Sequence, residues 1–337
     1  MNLNKKVSVI TPCFNGEQFI HRLLDSVLMQ DYPCIEMCVI DDGSTDDSAE
    51  VIKSYIPRFS AKGYQLTYLY QDNSGQSVAI NKGLQWMTGD YLVWPDSDDF
   101  YAVESAITQL VQVLEASDEK TSMARCHCNL LDEVTLKRVG EFTVNSNNAK
   151  KTELFEDCLF AQNGFWFVPG NYMAKVAQLR EVLPSLTIYT EKNAGQNWQL
   201  MLPLLYNRKC ITIKRNLYSV LVRANSHSRG QYSTYEQIVA KNEAYERTIL
   251  STLEGMLINS DIKNKYKIDI REKYQLIKLG VAVSFKRQND ACYIYESLLK
   301  NNCHVPVRNI IKYRLMNFSL ANKILELIII IRRLLVK

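Results

Sequence analysis

Val7-Ser8-Val9-Ile10-Thr11-Pro12-Cys13-Phe14-Asn15-Gly16 opens the chain with a β-branched run that stops at a turn-rich segment. From Glu17 to Gln30, apolar Phe19, Ile20, Leu23, Leu24, Val27 and Leu28 recur at helical spacing. The alternation then repeats. Glu36 to Ile40 reads as a strand ending in Asp41-Asp42-Gly43-Ser44-Thr45-Asp46, and Asp47 to Ile56 as a helix. Leu66 to Tyr70 is a third strand, followed by Gln71-Asp72-Asn73-Ser74-Gly75 and a helix over Ser77 to Met87. Tyr91 to Trp94 is a fourth strand. A β-α-β-α-β-α-β order predicts a parallel sheet with helices on its faces. Ligands of such sheets sit beyond the carboxyl ends of the strands, and each of these polar clusters falls at such an end.

Two of those clusters carry closely spaced acids, Asp41-Asp42 and Asp96-Ser97-Asp98-Asp99. Taken singly, each could be a solvated turn. Carboxylates crowded at the end of a buried strand repel one another and call for a compensating cation. A hard divalent ion, Mg²⁺ or Mn²⁺, suits an all-oxygen donor set and keeps positions free for phosphates. Neither a Walker-type nor a dinucleotide-type glycine loop follows the first strand, so a nucleotide diphosphate would be held through a metal.

Val7 to Asn15, Val39 to Asp46 and Trp94-Pro95-Asp96-Ser97-Asp98-Asp99 together resemble the family 2 glycosyltransferases of GT-A fold. Asn73 to Gly83 is similar to that family's connecting block, and Ser26 to Gln30 to its first helix ending. The resemblance is dense over residues 5–105 and thinner to about 230. It implies an α/β, Rossmann-like, mainly parallel sheet flanked by helices, with a C-terminal helical extension. It also implies a nucleotide-sugar donor, usually UDP-linked, bound by Thr11, Pro12, Phe14, Asp41, Asp42, Asn73, Gly75 and Ser77. Asp42 is favoured over Asp41 for the base. Asp96 and Asp98 would form the D-x-D pair on ribose and metal, with Asp99 a further ligand and Mn²⁺ or Mg²⁺ as cofactor. Ile80 stands where many relatives carry an arginine on the diphosphate. The reaction implied is an inverting transfer to a hydroxyl of a glycan or lipid-linked acceptor, in cell-surface polysaccharide synthesis such as capsule or O-antigen.

The same resemblance expects an acidic base opening the helix at Trp198 to Tyr206, but Gln196-Asn197 occupies that place. Neither amide is a base at neutral pH. Glu191 is the alternative, beside a different acid, an ionised acceptor or no base. Gly164 to Met173 is either a core strand or an aromatic acceptor platform, with Trp166, Asn171 and Trp198 as acceptor contacts. His227, in Arg223-Ala224-Asn225-Ser226-His227-Ser228-Arg229, is either in a solvated loop or a metal ligand. Arg223 or Arg229 could meet the diphosphate.

Residues 103–116 read as a helix, Ser122 to Leu131 and Leu217 to Val222 as strands, and residues 132–155 as a polar loop. Past residue 231 the pattern turns helical, giving domains 1–230 and 231–337. The tail Ile324 to Lys337 reads as a helix packed into the protein or a homo-oligomer, or as an interfacial helix on the cytoplasmic membrane face. Its apolar run is shorter than the roughly 20 residues a bilayer needs.

Composition narrows the field. Of 337 residues, 47% are hydrophobic and 23% charged, enough to bury a core and too ordered for a disordered chain. Forty Lys and Arg against 36 Asp and Glu leave +4, which argues against a nucleic-acid groove. The polar start carries no export signal, so nine Cys read as reduced thiols in a cytoplasmic protein. Cys126-His127-Cys128 lacks the second pair a zinc finger needs and reads as part of a buried strand. A nucleotidyltransferase is disfavoured by Cys13-Phe14-Asn15-Gly16-Glu17, which is no phosphate loop. A non-catalytic sugar-nucleotide-binding scaffold on the same fold is the remaining rival.

Overall fold

The computed structural model describes residues 5–144, 150–191, 194–223, 232–316 and 328. The chain divides into two compact units, Met1–Arg229 with Ser251–Leu257, and Gly230–Leu250 with Ile258–Lys337.

In the first unit, β1 (Val7–Cys13) and β2 (Ile35–Asp42) are buried along their whole length. Such continuous apolar strands need cover on both faces. Part of it comes from α1 (Ile20–Leu28), which buries Ile20, Leu23, Leu24 and Val27 on one stripe. The helices α2 (Ser48–Lys62) and α3 (Gln76–Trp86) follow β2 and β3 (Gln65–Gln71). With β4 (Tyr91–Val93), the four strands pair in parallel in the order β3-β2-β1-β4. The chain winds outward to β3 and then returns to the other side of β1. The switch point therefore lies between β1 and β4. Their pairing runs only from Val7 opposite Tyr91 to Val9 opposite Val93. Beyond Val9 the sheet parts, and Pro12, which has no N–H to give a ladder, sits where β4 asks for none.

The second half adds short antiparallel pairings to this mainly parallel sheet. After β5 (Phe100–Tyr101) and α4 (Ala106–Glu115), β6 (Thr121–Asp132) takes a hairpin partner, β7 (Arg138–Phe142). Next come α5 (Phe155–Leu159), a single 3-10 turn (Pro169–Asn171), and β8 (Tyr172–Lys175), antiparallel to both β4 and β6. The helices α6 (Val176–Val182) and α7 (Gln196–Leu205) lead to β9 (Lys209–Val222), which runs parallel to β6 and antiparallel to β5.

Three sequence expectations change here. The polar stretch 132–155 contains β7, whose Arg138, Val139 and Glu141 are exposed at an edge and so give no amphipathic signal. The aromatic run 164–173 is not a continuous strand, because Pro169-Gly170 forms the 3-10 turn and β8 begins only at Tyr172. β9 starts at Lys209, eight residues before the expected Leu217, its first half masked by exposed Arg215 and neighbouring charges. Cys126-His127-Cys128 does lie on a buried strand, β6. Side chains alternate across a strand, so the three cannot converge on one ion.

The second unit holds most of α8 (Tyr235–Gly255), with α9 (Ser260–Ser284), α10 (Gln288–Lys300) and α11 (Val307–Leu315). Its core gathers Leu279, Ala282, Val283, Ala291, Leu298, Val305 and Met316. Among the described residues no helix is long and apolar enough to cross a membrane. The tail expected as a packed or interfacial helix lies outside the described residues, Ile328 apart.

Candidate active site

The carboxyl ends of β1, β2 and β4 meet at the switch point. Gly43, at φ +76°, turns the chain sharply after β2, and a Cβ there would stand 2.7 Å from the Asn73 nitrogen. Asp41 is 1% exposed and accepts from the Ser44 N–H (2.8 Å) and the Tyr68 hydroxyl (2.7 Å). Asp42 accepts from Gln71 Nε2 (2.7 Å) and from the N–H groups of Ser74 (2.8 Å) and Gly75 (2.9 Å). Asp42 thus fixes the loop that starts α3, with Gly75 at φ +95° as the residue before the helix, while Asp41 holds the turn after β2. Asn15 and Gly16 are tied to the β2–α2 turn through Ser44 and Ser48. Around this frame Phe14 is 46% exposed and Asn73 is exposed, while Pro12, Thr11 and Ser77 are buried. The hydroxyls of Thr11 and Ser77 have no hydrogen-bond partner among the described residues.

The acid turn follows β4. Carboxylate oxygens of Asp96, Asp98 and Asp99 lie within 4.8 Å of one another, the one such acid grouping among the described residues able to hold a metal. The short strand β5 begins directly after Asp99 and pairs with Ser219 and Tyr218, so the end of β9 runs past the acids. Leu221 N–H donates to Asp99 Oδ1 (3.0 Å), and Arg223 Nη2 pairs with Asp98 Oδ2 (2.9 Å). Gln76 and Gln196 donate to Asp96 Oδ1 at 3.2 and 3.4 Å. One guanidinium against three acids leaves the cluster short of positive charge. Burial, with the neighbouring Asp98 charge added, pushes Asp96 up to about 7. The same two causes, and Asp96, raise Asp99 well above the carboxylate range. Three converging hard oxygen donors are short of positive charge. They are flanked by Gln196 Oε1 and the Tyr218 hydroxyl, both partnerless among the described residues, and the set fits Mg²⁺ or Mn²⁺.

Residues 8–171 match the sequence profile described as "Glycosyl transferase family 2". They are a family 2 glycosyltransferase domain. A curated relative, the glycosyltransferase GlyA of Streptococcus pneumoniae, is 37% identical over 115 residues, 34% of this chain and 16% of that protein. The chain spans well under half the length of the first curated relatives it matches. Among solved structures, S. aureus TarS 1-349 in complex with UDP-GlcNAc aligns with TM-score 0.61 and 16% identity, over 94% of this chain and 92% of that one. The mannosyltransferase PcManGT of Pyrobaculum calidifontis, in complex with GDP-Man and Mn²⁺, gives 0.53 and 14%, over 95% and 82%. Both likenesses are of fold, the GT-A arrangement.

The remaining expected residues scatter. Gln196, buried, is the first residue of α7 and presses its amide on Asp96. Asn197 accepts from Trp94 Nε1 and donates to the Phe167 carbonyl, both at 3.4 Å. Glu191 is half-buried and accepts from the Tyr189 hydroxyl (3.0 Å). Trp166 and Asn171 are corrected to core residues. The Trp166 ring is covered by Arg125 at 4.2 Å and stacks on Phe142, leaving no face for a sugar, and Asn171 is fully buried, bonded to the Cys126 carbonyl. Trp198 stays half-buried against Phe167 and donates to the Cys158 carbonyl (3.0 Å). Ile80 is core. His227 and Arg229 lie outside the described residues. Sequence reasoning missed Gln76, and it aimed Arg223 at a diphosphate rather than at Asp98. Only the β5–β9 pairing, invisible in a two-residue strand, brings Arg223 to the acids.

Proposed function

We propose that the protein transfers a sugar from a nucleotide-sugar donor, UDP-linked by preference, to a hydroxyl of a glycan or lipid-linked acceptor. The observation that carries this is the acid turn Asp96-Asp98-Asp99, paired to Arg223, at the switch point beside the Asp41–Asp42 loop. Asp42, Asp41, Thr11, Pro12 and Phe14 would line the base and ribose pocket, with Asn73, Gly75 and Ser77 toward the phosphates. Partnerless hydroxyls on Thr11 and Ser77 support a polar ligand there. Asp96, Asp98 and Asp99 would hold Mn²⁺ or Mg²⁺, which when bound neutralises charge on a departing nucleoside diphosphate. The neighbours in complex with UDP-GlcNAc and with GDP-Man and Mn²⁺ support the donor class and the metal. Acceptor attack opposite the leaving diphosphate gives inversion. Glu191, on the segment entering α7, is the base this reading assigns, since Gln196 cannot take a proton.

Calorimetric titration of UDP, with GDP and ADP as controls, with and without Mn²⁺, tests the donor site on wild type and Asp98→Asn. Metal-dependent UDP binding lost in the variant is the expected result. A folded wild type that binds no nucleotide would sink the donor assignment. Gln196 at the customary base position favours a second reading, a nucleotide-sugar-binding scaffold. That reading requires bound donor to survive intact with every acceptor offered.

A further inference from the structure

Arg125, in the middle of β6, is 3% exposed, and no carboxylate among the described residues forms an ion pair with it. Its Nε donates to Thr212 Oγ1 (3.0 Å) and its Nη1 to the Tyr172 hydroxyl (3.2 Å). The Trp166 ring, 4.2 Å from the guanidinium carbon, and the Phe165 ring, 5.6 Å away, supply cation–π contact. Among the described residues no hydrogen bond engages Nη2. A buried cation compensated only by neutral partners is costly to keep. This one borders a cavity of about 80 Å³, also lined by Thr143, Asp157, Asn163 and Phe165. That is several times the roughly 10–15 Å³ a single water requires, room for a small oxyanion. Asp157 favours the arginine's charge from a distance but forms no ion pair with it, since Lys151 (2.6 Å) and Asn163 (2.8 Å) hold its two oxygens. A further buried donor, Trp166 Nε1, has no partner among the described residues.

The cavity wall is continuous with the transfer site. The Phe165 ring packs on Phe167 (5.0 Å), whose carbonyl accepts from Asn197 and whose ring packs on Trp198 (4.6 Å). The residue before Asn197 is Gln196, bonded to Asp96. The cavity thus borders the aromatic segment on which the start of α7, with Gln196 bonded to Asp96, is packed.

We propose that the Arg125 cavity binds an oxyanion, a phosphate or carboxylate, carried by the acceptor. The planar fork of a guanidinium matches such groups, and the low-dielectric wall strengthens the pairing. The acceptor assignment rests on the transfer reading above, whereas anion binding itself does not.

The test titrates inorganic phosphate and acetate into the full chain in EDTA, where metal-dependent nucleotide binding cannot contribute. Wild type is compared with Arg125→Met, Thr143→Glu and Asp98→Asn. Thr143 is exposed, so its variant keeps the experiment decisive if the buried Arg125→Met fails to fold. Saturable binding by wild type and Asp98→Asn, weakened about tenfold or more in the other two, is expected, the loss of one charged hydrogen-bonding pair. Absence of binding in wild type, or binding unchanged by both cavity variants, overturns the site. Glycerol 3-phosphate and vesicles containing phosphatidic acid then separate the sources. The first binding alone assigns a soluble acceptor anion, the second alone a lipid headgroup. Phosphate binding with neither overturns the assignment to the acceptor. UDP with Mn²⁺ should bind Arg125→Met as it binds wild type. Its failure with wild type would fell the donor reading and leave the cavity result standing.

Discussion

Arg223 Nη2 stands 2.9 Å from Asp98 Oδ2, so the acid turn already contains a protein cation. The guanidinium also lies over the Phe19 ring at 4.6 Å, which fixes its approach. Replacing it leaves three acids within 4.8 Å with less compensation. Both partners are about a quarter exposed, so the loss falls short of that for a fully buried pair, about 1–2 kcal/mol. Arg223→Gln should melt earlier than wild type in EDTA and gain more from Mn²⁺. Equal melting in EDTA and an equal Mn²⁺ shift would show that the pair compensates nothing.

The first four strands were legible because each local signal agreed with the others. Apolar runs, helical stripes such as Ile20, Leu23, Leu24 and Val27, and polar stops at Asn15, Asp42 and Asp96 all favour one parallel sheet. The acids could be read as a site because alternation alone puts Asp41–Asp42 and Asp96–Asp99 at the same sheet end. What brings Arg223 and Gln196 to those acids was not legible. Both approach through long-range pairing, β5 with β9 and α7 against the acid turn, and neither leaves a local pattern. Trp166 misled for a related reason. An aromatic run has the same composition whether its rings face a sugar or a buried arginine, and only Arg125 and Phe142 settle it.

Asp42 ties β2 to α3 through three accepted hydrogen bonds, two of them from backbone N–H groups. Removing the carboxylate strands those donors in a site 5% exposed. Asp42→Ala should cost about 2–3 kcal/mol in urea unfolding, and Asp42→Asn, which keeps one acceptor oxygen, less. UDP binding should fall in both. A fully stable Asp42→Ala would mean that the Ser74 and Gly75 N–H groups find other partners.

His127 accepts the Val144 N–H on Nε2 (3.3 Å), which requires that nitrogen unprotonated. Burial lowers its pKa, with Arg125 and Lys214 adding and Glu141 opposing. The unfolded chain therefore takes up the proton more readily than the folded one. The stability that His127 confers is complete above the unfolded value, about 6.5, and is lost as pH falls through the lower folded value. Asp96, pushed up to about 7, works the other way in wild type and variant alike, so the difference is what tests His127: between pH 7.5 and 5.5 His127→Gln should gain melting temperature relative to wild type. Parallel profiles would remove His127 from the acid response.

Gln196 occupies the place where the sequence resemblance expects an acid, with its amide 3.4 Å from Asp96. A carboxylate there would face the acid cluster rather than relieve it. Gln196→Glu should cost about 1 kcal/mol of stability in EDTA, by like-charge repulsion, and bring no rise in transfer rate. Glu191 gives the complementary result. If it takes the acceptor proton, Glu191→Gln lowers kcat by about 10²- to 10⁴-fold while the Kd for UDP with Mn²⁺ holds. Steady-state transfer and UDP titration on the two variants decide between them. A faster Gln196→Glu beside an unaffected Glu191→Gln would move the base to α7, with wild type working without it.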